Sequence, residues 1–243
     1  MSQTIVVTGG AGGICSEICR GMAADGLSVV VADYALEGAE QTAAEIRAAK
    51  GNAIAVKVDV ADPQSVAQMM QQAIAKYGSV DYLFNGAGIM PRTPVVDMAE
   101  EEWDRVLRIN LKGTFLCSQA AARHMMPKKQ GRILGIASGR GVAGQARASH
   151  YAASKAGVIA FVKSLAVELA PFNITVNAVC PGATDTPMSR AGLSPEEFKK
   201  RTEIPPLMDG LTGKDEIVGL VRYLLSDATR FVTGQIFFLR TPK

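Results

Sequence analysis

Thr4-Ile5-Val6-Val7-Thr8-Gly9-Gly10-Ala11-Gly12-Gly13-Ile14-Cys15 runs from a β-branched segment through a glycine-rich turn into the start of a helix. The segment is apolar throughout rather than alternating, which marks a strand covered on both faces. Glycines in the turn let the backbone come close to a pyrophosphate. The helix that follows offers unpaired N–H groups and the positive end of its dipole. A glycine-rich turn can also be no more than a turn; its context after the first strand gives it weight. The second apolar run, Leu27 to Ala32, ends at Asp33. A carboxylate there can bond both ribose hydroxyls of NAD and repels the 2′-phosphate of NADP. No lysine or arginine stands at Gly12 or Tyr34 to receive that phosphate. NAD is therefore the expected cofactor, the alternative being that Asp33 only caps a loop.

Outward from this turn the pattern is strand and helix in alternation. Helical stretches are expected at 14–24, 35–49, 63–77, 100–126, 150–170 and 214–226, and strands at 53–58, 81–85, 132–137, 174–179 and 235–239. Asp62 reads as an N-cap with Pro63 at the first helical position. The 100–126 helix is expected to kink near Asn110 to Gly113. Continuous apolar strands that alternate with helices imply an α/β fold with a doubly wound (Rossmann-type) parallel sheet flanked by helices on both faces. Right-handed crossovers put its site beyond the carboxyl ends of the strands. With no linker or repeat, 1–243 reads as one dinucleotide-binding catalytic domain. The irregular stretch at about 183–213 reads as a substrate lid.

Composition excludes several classes. The chain has 243 residues, 48% hydrophobic and 20% charged, enough for a large core and too apolar for a disordered chain. A net charge of +3, spread along the chain, gives no nucleic-acid footprint. No apolar run reaches the roughly 18–20 residues that span a bilayer, so no membrane partner is expected. The first ten residues lack the pattern of a signal peptide. Cys15, Cys19, Cys117 and Cys180 form no C-x-x-C pair. No metal site is expected from them; they read as small buried hydrophobes in a reducing compartment, and the cytoplasm is the expected location.

Tyr151 and Lys155 are four apart at the start of a helix and share one face. Ser138 lies just past the fifth strand, where a parallel sheet displays functional groups. An ammonium about 5 Å from the phenol contributes roughly 3 kcal/mol at an effective dielectric near 20, which would bring a tyrosine pKa of about 10 down to roughly 8. Such a phenol is a usable base for alcohol oxidation or an acid for ketone reduction, with Ser138 bonding the substrate oxygen. Taken alone, a Tyr-x-x-x-Lys pair is commonly just a solvated face.

Together these residues resemble the short-chain dehydrogenase/reductase family along nearly the whole chain. The matches are Thr8-Gly9-x-x-x-Gly13-Ile14, Asp59-Val60, Asn85-Gly86-Ala87-Gly88, Asn110, Ser138, Tyr151-x-x-x-Lys155 and Pro181-Gly182 with Thr184 or Thr186 following. Ser138 precedes Tyr151 by the family's usual thirteen residues. The resemblance implies a seven-stranded parallel sheet, usually assembled as a tetramer. It implies that Tyr151 is the acid/base, that Lys155 bonds the nicotinamide ribose, and that Asn110 holds a water in a proton relay. Gly9, Gly12, Gly13 and Ile14 would then cradle the pyrophosphate. Asp59 and Val60 would meet the adenine, Asn85, Ala87 and Gly88 the adenosine side, and Pro181, Gly182 and Thr184 the nicotinamide end.

Three positions depart from the family pattern. Cys15 replaces a third glycine, Gly86 replaces a second asparagine, and the C-terminus lacks Asp-Gly-Gly. These put cofactor affinity and subunit packing in question.

Arg140, Gln145 and Met188 are candidate substrate contacts. Arg140, two residues past Ser138, suits a carboxylate or phosphate on the substrate, or else a surface or intersubunit ion pair. The expected activity is an NAD(H)-dependent interconversion of a secondary alcohol and a ketone by a homo-oligomer, tetramer or dimer. The alternatives are a 3-oxoacyl-thioester (acyl-carrier-protein) reductase, which Asp33 disfavours, and a non-catalytic dinucleotide sensor or scaffold.

Overall fold

The structure is a computed structural model, which describes residues 2–202 and 211–239. In chain order the elements are β1 (Thr4–Thr8), α1 (Gly13–Ala24), β2 (Ser28–Asp33), α2 (Leu36–Ala48), β3 (Asn52–Lys57), α3 (Pro63–Tyr77) and β4 (Tyr82–Asn85). There follow α4 (Glu100–Leu107), α5 (Gly113–Met125), β5 (Gly131–Ile136), α6 (Arg140–Ala143), α7 (Ser149–Leu169), β6 (Ile174–Cys180), α8 (Pro187–Arg190), α9 (Pro195–Thr202), α10 (Lys214–Leu225) and β7 (Ile236–Phe238). The seven strands form one parallel sheet in the order β3-β2-β1-β4-β5-β6-β7.

The strands are apolar on both sides because both faces are covered. On one face Val6, Val30, Leu83, Ile133 and Val176 pack against α3, α5 and α7 through Met69, Met125 and Val162. On the other, Ile5, Val7, Val29, Val31, Phe84 and Leu134 pack against α1, α2 and α10 through Ile18, Ile46 and Leu224. Val6 thus belongs to one layer and its neighbours Ile5 and Val7 to the other. Each such fully buried side chain contributes about 1.5–3 kcal/mol of transfer free energy, so a polar residue at any of them would be costly.

The local signals for α3 operate as physics requires. The Asp62 carboxylate accepts from Gln64 N at 3.0 Å and Ser65 N at 3.3 Å. Pro63 sits in the first turn, and Gly78 at φ +81° ends the helix in the left-handed region. The expected kink is a π turn over Arg108–Lys112, between α4 and α5. An extra residue in the turn there re-aims the helix axis.

Topology places the cleft. From β1 the chain first builds outward through β2 and β3, then returns to the other side of β1 with β4. Two loops therefore meet at the C-terminal ends of β1 and β4, where strand order reverses and ligands bind in such sheets. Thr8 and Asn85 are register partners at this edge. The loops touch: a Cβ on Gly9, which has φ +77°, would lie 2.9 Å from Ala87 N. Within the stretch expected as a lid, α8 and α9 are short helices. Residues 203–210 of that stretch, and 240–243 of the atypical C-terminus, lie outside the described residues.

Candidate active site

A cleft of about 1030 Å³ runs along the carboxyl ends of the strands. Its floor is tied by Thr8, whose Oγ1 accepts from Gly86 N at 3.1 Å and Ala87 N at 3.3 Å. Gly13, at φ +61°, turns the chain into α1. The α1 N-cap, Gly12, supplies no side-chain acceptor, and the first turn holds no carboxylate. A Cβ at Gly12 would meet nothing within 4 Å. The first amides of α1 are thus left for an anion from outside, with backbone rather than side chains beside it. Gly9, Gly12, Gly13 and Ile14 all line the cleft.

Asp33 has two roles that the sequence left as alternatives. Its Oδ2 accepts from Ala11 N at 3.0 Å and its Oδ1 from Ala35 N at 2.9 Å, so it does close the loop. It also lines the cleft, with Asp59 and Val60 beside it.

At the other end stand Ser138, just past β5, and Tyr151 and Lys155 on one face of α7; all three line the cleft. Lys155 Nζ lies 5.7 Å from the centre of the Tyr151 ring and donates to the Ile136 carbonyl at 2.7 Å. Burial drives the Lys155 ammonium down to about 8, with Cys15 and Cys180 opposing. The phenol departs from the sequence expectation. Burial raises Tyr151 above its ordinary value; Ser138 by hydrogen bonding, and Arg140 and Arg92 by their charge, pull it back. The point-charge argument left out the desolvation of both partners, which raises the phenol and lowers the ammonium.

Two expected residues do not face the cleft. Asn85 is buried, and its Nδ2 donates to Ser118 Oγ at 3.0 Å; the residues that follow it, Gly86, Ala87 and Gly88, line the cleft. Asn110, in the π turn, is also buried and its amide is taken up by protein. Its Oδ1 accepts from Ile89 N at 2.8 Å, and its Nδ2 donates to Ile89 O at 3.0 Å and Ser154 Oγ at 3.1 Å. Its side chain therefore braces the β4 loop against α7, which leaves only main-chain atoms for a water relay.

Pro181, Gly182 and Thr184 line the cleft, as does Thr186. Thr184 Oγ1 donates to Gly182 O at 3.3 Å, and Thr186 Oγ1 accepts from Ser189 N at 3.1 Å as the cap of α8. Arg140, Gln145 and Met188 line the substrate end. Arg105, Arg108 and Phe198 also line the cleft and carry no signal in the sequence, since charged helix faces and lone aromatics are common. It also missed the dyad beneath Tyr151. Fully buried His150 has Nδ1 accepting from Tyr151 N at 2.9 Å, and Nε2 at 3.1 Å from Glu102 Oε1.

The sequence model described as short chain dehydrogenase matches residues 3–197. The chain belongs to the short-chain dehydrogenase family. It is 40% identical over 235 residues to a cis-4-hydroxycyclohexanecarboxylate dehydrogenase of Sinomonas cyclohexanicum, covering 96% of this chain and 93% of that one. It is 39% identical over 239 residues to a 3-oxoacyl-[acyl-carrier-protein] reductase of Synechocystis sp., covering 97% and 94%. The crystal structure of gox2181 superposes with a TM-score of 0.92 at 32% identity, covering 99% of this chain and 95% of that one. Like its family, this dehydrogenase is an oxidoreductase that acts between CH–OH and carbonyl groups with a nicotinamide dinucleotide. No helix among the described residues is long and apolar enough to cross a membrane.

In this dehydrogenase the two departures at the cofactor end are one packing event. A Cβ at Gly86 would lie 2.2 Å from Cys15 Sγ and 2.8 Å from Thr8 O. The thiol occupies the room that a side chain at 86 would need. Cys15 is buried, and burial pushes its thiol up to about 12, so it sits there as a neutral apolar group. The open Gly12 backbone, the free amides of α1 and the Asp33 carboxylate still suit a dinucleotide.

Proposed function

We propose that this dehydrogenase interconverts a secondary alcohol and a ketone with NAD(H), Tyr151 serving as general acid/base. The observation that supports this most directly is that Ser138, Tyr151 and Lys155 converge at one end of the cleft while Asp33 stands at the other. Ser138 orients the substrate oxygen by hydrogen bonding. The Tyr151 oxygen takes up or returns the proton of that oxygen. Lys155, held by the Ile136 carbonyl beside the tyrosine, would bond the ribose hydroxyls of the cofactor. Nicotinamide, when bound, supplies the hydride acceptor or donor. Gly9, Gly12, Gly13 and Ile14 hold the pyrophosphate, Asp33 the adenosine ribose, Asp59, Val60, Ala87 and Gly88 the adenosine, and Pro181, Gly182 and Thr184 the nicotinamide end. Asn85 and Asn110 support from beneath, the latter through the loop it braces.

A panel of secondary alcohols followed at the reduced-cofactor absorbance band tests this, with NAD and NADP side by side. Tyr151→Phe is expected to abolish turnover and leave NAD binding nearly intact; turnover equal to the parent would refute the role of the phenol. NAD binding without turnover of any alcohol or ketone would favour a sensor. A 3-oxoacyl-thioester reductase is the second reading, because the Synechocystis relative bears that name. It requires reduction of a 3-oxoacyl thioester that outpaces oxidation of simple alcohols.

We take 1–243 as one catalytic domain with a lid at about 183–213, working in the cytoplasm as a homotetramer or homodimer. Exposed Phe115 on α5 and Val167 on α7, 40% and 76% accessible, support the self-association.

A further inference from the structure

The two ends of the cleft differ in charge. Among the described lining residues the acidic side chains are Asp33 and Asp59, both at the β2 and β3 side. The substrate side, beyond Ser138, carries Arg92 and Arg140 instead. Arg92, half-buried in the loop after β4, is fixed against α8: its Nε donates to Ala191 O at 2.8 Å and its Nη2 to Ser189 O at 3.4 Å. Arg140 is anchored only through its backbone, whose N–H donates to Ser138 Oγ at 3.2 Å. Its exposed guanidinium makes no hydrogen bond or ion pair among the described residues.

The Arg92 loop also meets the segment that follows Arg140, Thr93 N donating to Arg147 O at 2.8 Å. Burial lowers the Arg92 pKa first, and the charges of Arg147 and Arg140 lower it further, against Glu197. Both Arg92 and Arg140 also bear on the Tyr151 hydroxyl. Around them the cleft wall is apolar, from Ala143, Met188, Phe198 and Leu211. Like charges gathered on an apolar wall next to the reacting oxygen are relieved by an anion that arrives with an apolar skeleton.

We infer that Arg140 is a carboxylate-binding residue, and that the substrate is a hydroxy acid or oxo acid with an apolar carbon skeleton. This rests on the proposed alcohol–ketone reading and narrows it. Of Arg92 and Arg140, it is Arg140 that keeps its planar fork open to two oxygens of one acid group, and the apolar wall beside it favours the singly charged carboxylate over the more strongly hydrated phosphate. Arg92, already committed to the α8 carbonyls, stands behind as a fixed second charge.

Binding tests this without any turnover. Hexanoate and its neutral isostere hexanamide are titrated calorimetrically into the full chain and into Arg140→Gln and Arg140→Lys. The inference expects hexanoate to bind at least about tenfold tighter than hexanamide, as a charge-assisted pair requires. That preference should fall to within about twofold in Arg140→Gln and return in part in Arg140→Lys. Equal binding of the two probes, or a preference that survives in Arg140→Gln, overturns it. So does a change of oligomeric state in Arg140→Gln with ligand preference intact, since the arginine then serves an interface. Hexyl phosphate binding more tightly than hexanoate overturns the carboxylate assignment. Failure here leaves the Tyr151→Phe experiment unaffected, so the two readings fall separately.

Discussion

Lys155 is a buried ammonium, 3% exposed, and its burial can be read as a pH-dependent penalty on the fold. Its pKa falls from 10.5 to about 8 because the interior disfavours the charged form. At about 1.36 kcal/mol per pH unit this is roughly 3 kcal/mol of destabilisation, fully present below pH 8. The sign follows from proton counts. Between about pH 8 and 10.5 the folded chain has released this proton and the unfolded chain still holds it. Unfolding therefore takes up a proton in this window, and rising pH favours the folded state. Lys155→Met removes the titration and also the 2.7 Å bond to Ile136 O, which shifts its absolute stability by an amount independent of pH. The informative quantity is the difference in unfolding free energy between parent and variant, from urea titrations of the cofactor-free proteins at several pH values. All other ionisations cancel to first order in that difference. The parent should gain on the variant by about 2 kcal/mol between pH 8 and 9.5, with little change below pH 7. A difference that stays flat, or that moves against the parent as pH rises, would refute the assignment of a depressed lysine.

Two further perturbations probe the cofactor end. Gly86→Ala places a methyl against Cys15 Sγ and should destabilise by about 1–3 kcal/mol; Cys15→Ala in the same chain should recover part of this, the 2.8 Å approach to Thr8 O remaining, and additive losses in denaturant melts would discard the coupling. Asp33→Asn keeps an acceptor for one of the two loop amides and removes the charge, so the preference for NAD over NADP in kcat/KM should drop by about tenfold or more; an unchanged ratio would show that Asp33 only closes the loop.

The fold was legible because its strongest signals are local and periodic. Unbroken apolar runs such as Ile5 to Val7, β-branched and closed by glycines, read as strands with helices on both faces, and Asp62-Pro63 marks a helix start from two residues alone. The loop residues at strand ends were legible for the same reason, since topology delivers them to the cleft. What escaped was set by packing between distant segments. The direction in which Asn110 points depends on Ile89 and Ser154, and the dyad under Tyr151 joins His150 to Glu102, 48 positions away. The Cys15 and Gly86 departures each read as a defect in isolation. Their complementarity exists only once β1 and β4 lie side by side.

The tyrosine shows how the same omission reverses a sign. A lysine charge at full strength, about 3 kcal/mol across 5 Å, argues for an acidic phenol. Yet the enclosure that strengthens the field also withdraws water from both groups, and burial alone takes a comparable amount from Lys155. Positive charge from Arg140 and Arg92, on the substrate side, also acts on the Tyr151 oxygen. The cations that would receive a carboxylate are therefore the ones that steady a phenolate. An acid docked on Arg140 neutralises part of that field when the hydroxyl is about to work. Ser138, whose hydrogen bond is the largest opposing influence on the phenol, then carries more of the task, and the site's acidity belongs to the enclosed group of side chains and not to the Tyr151–Lys155 pair alone.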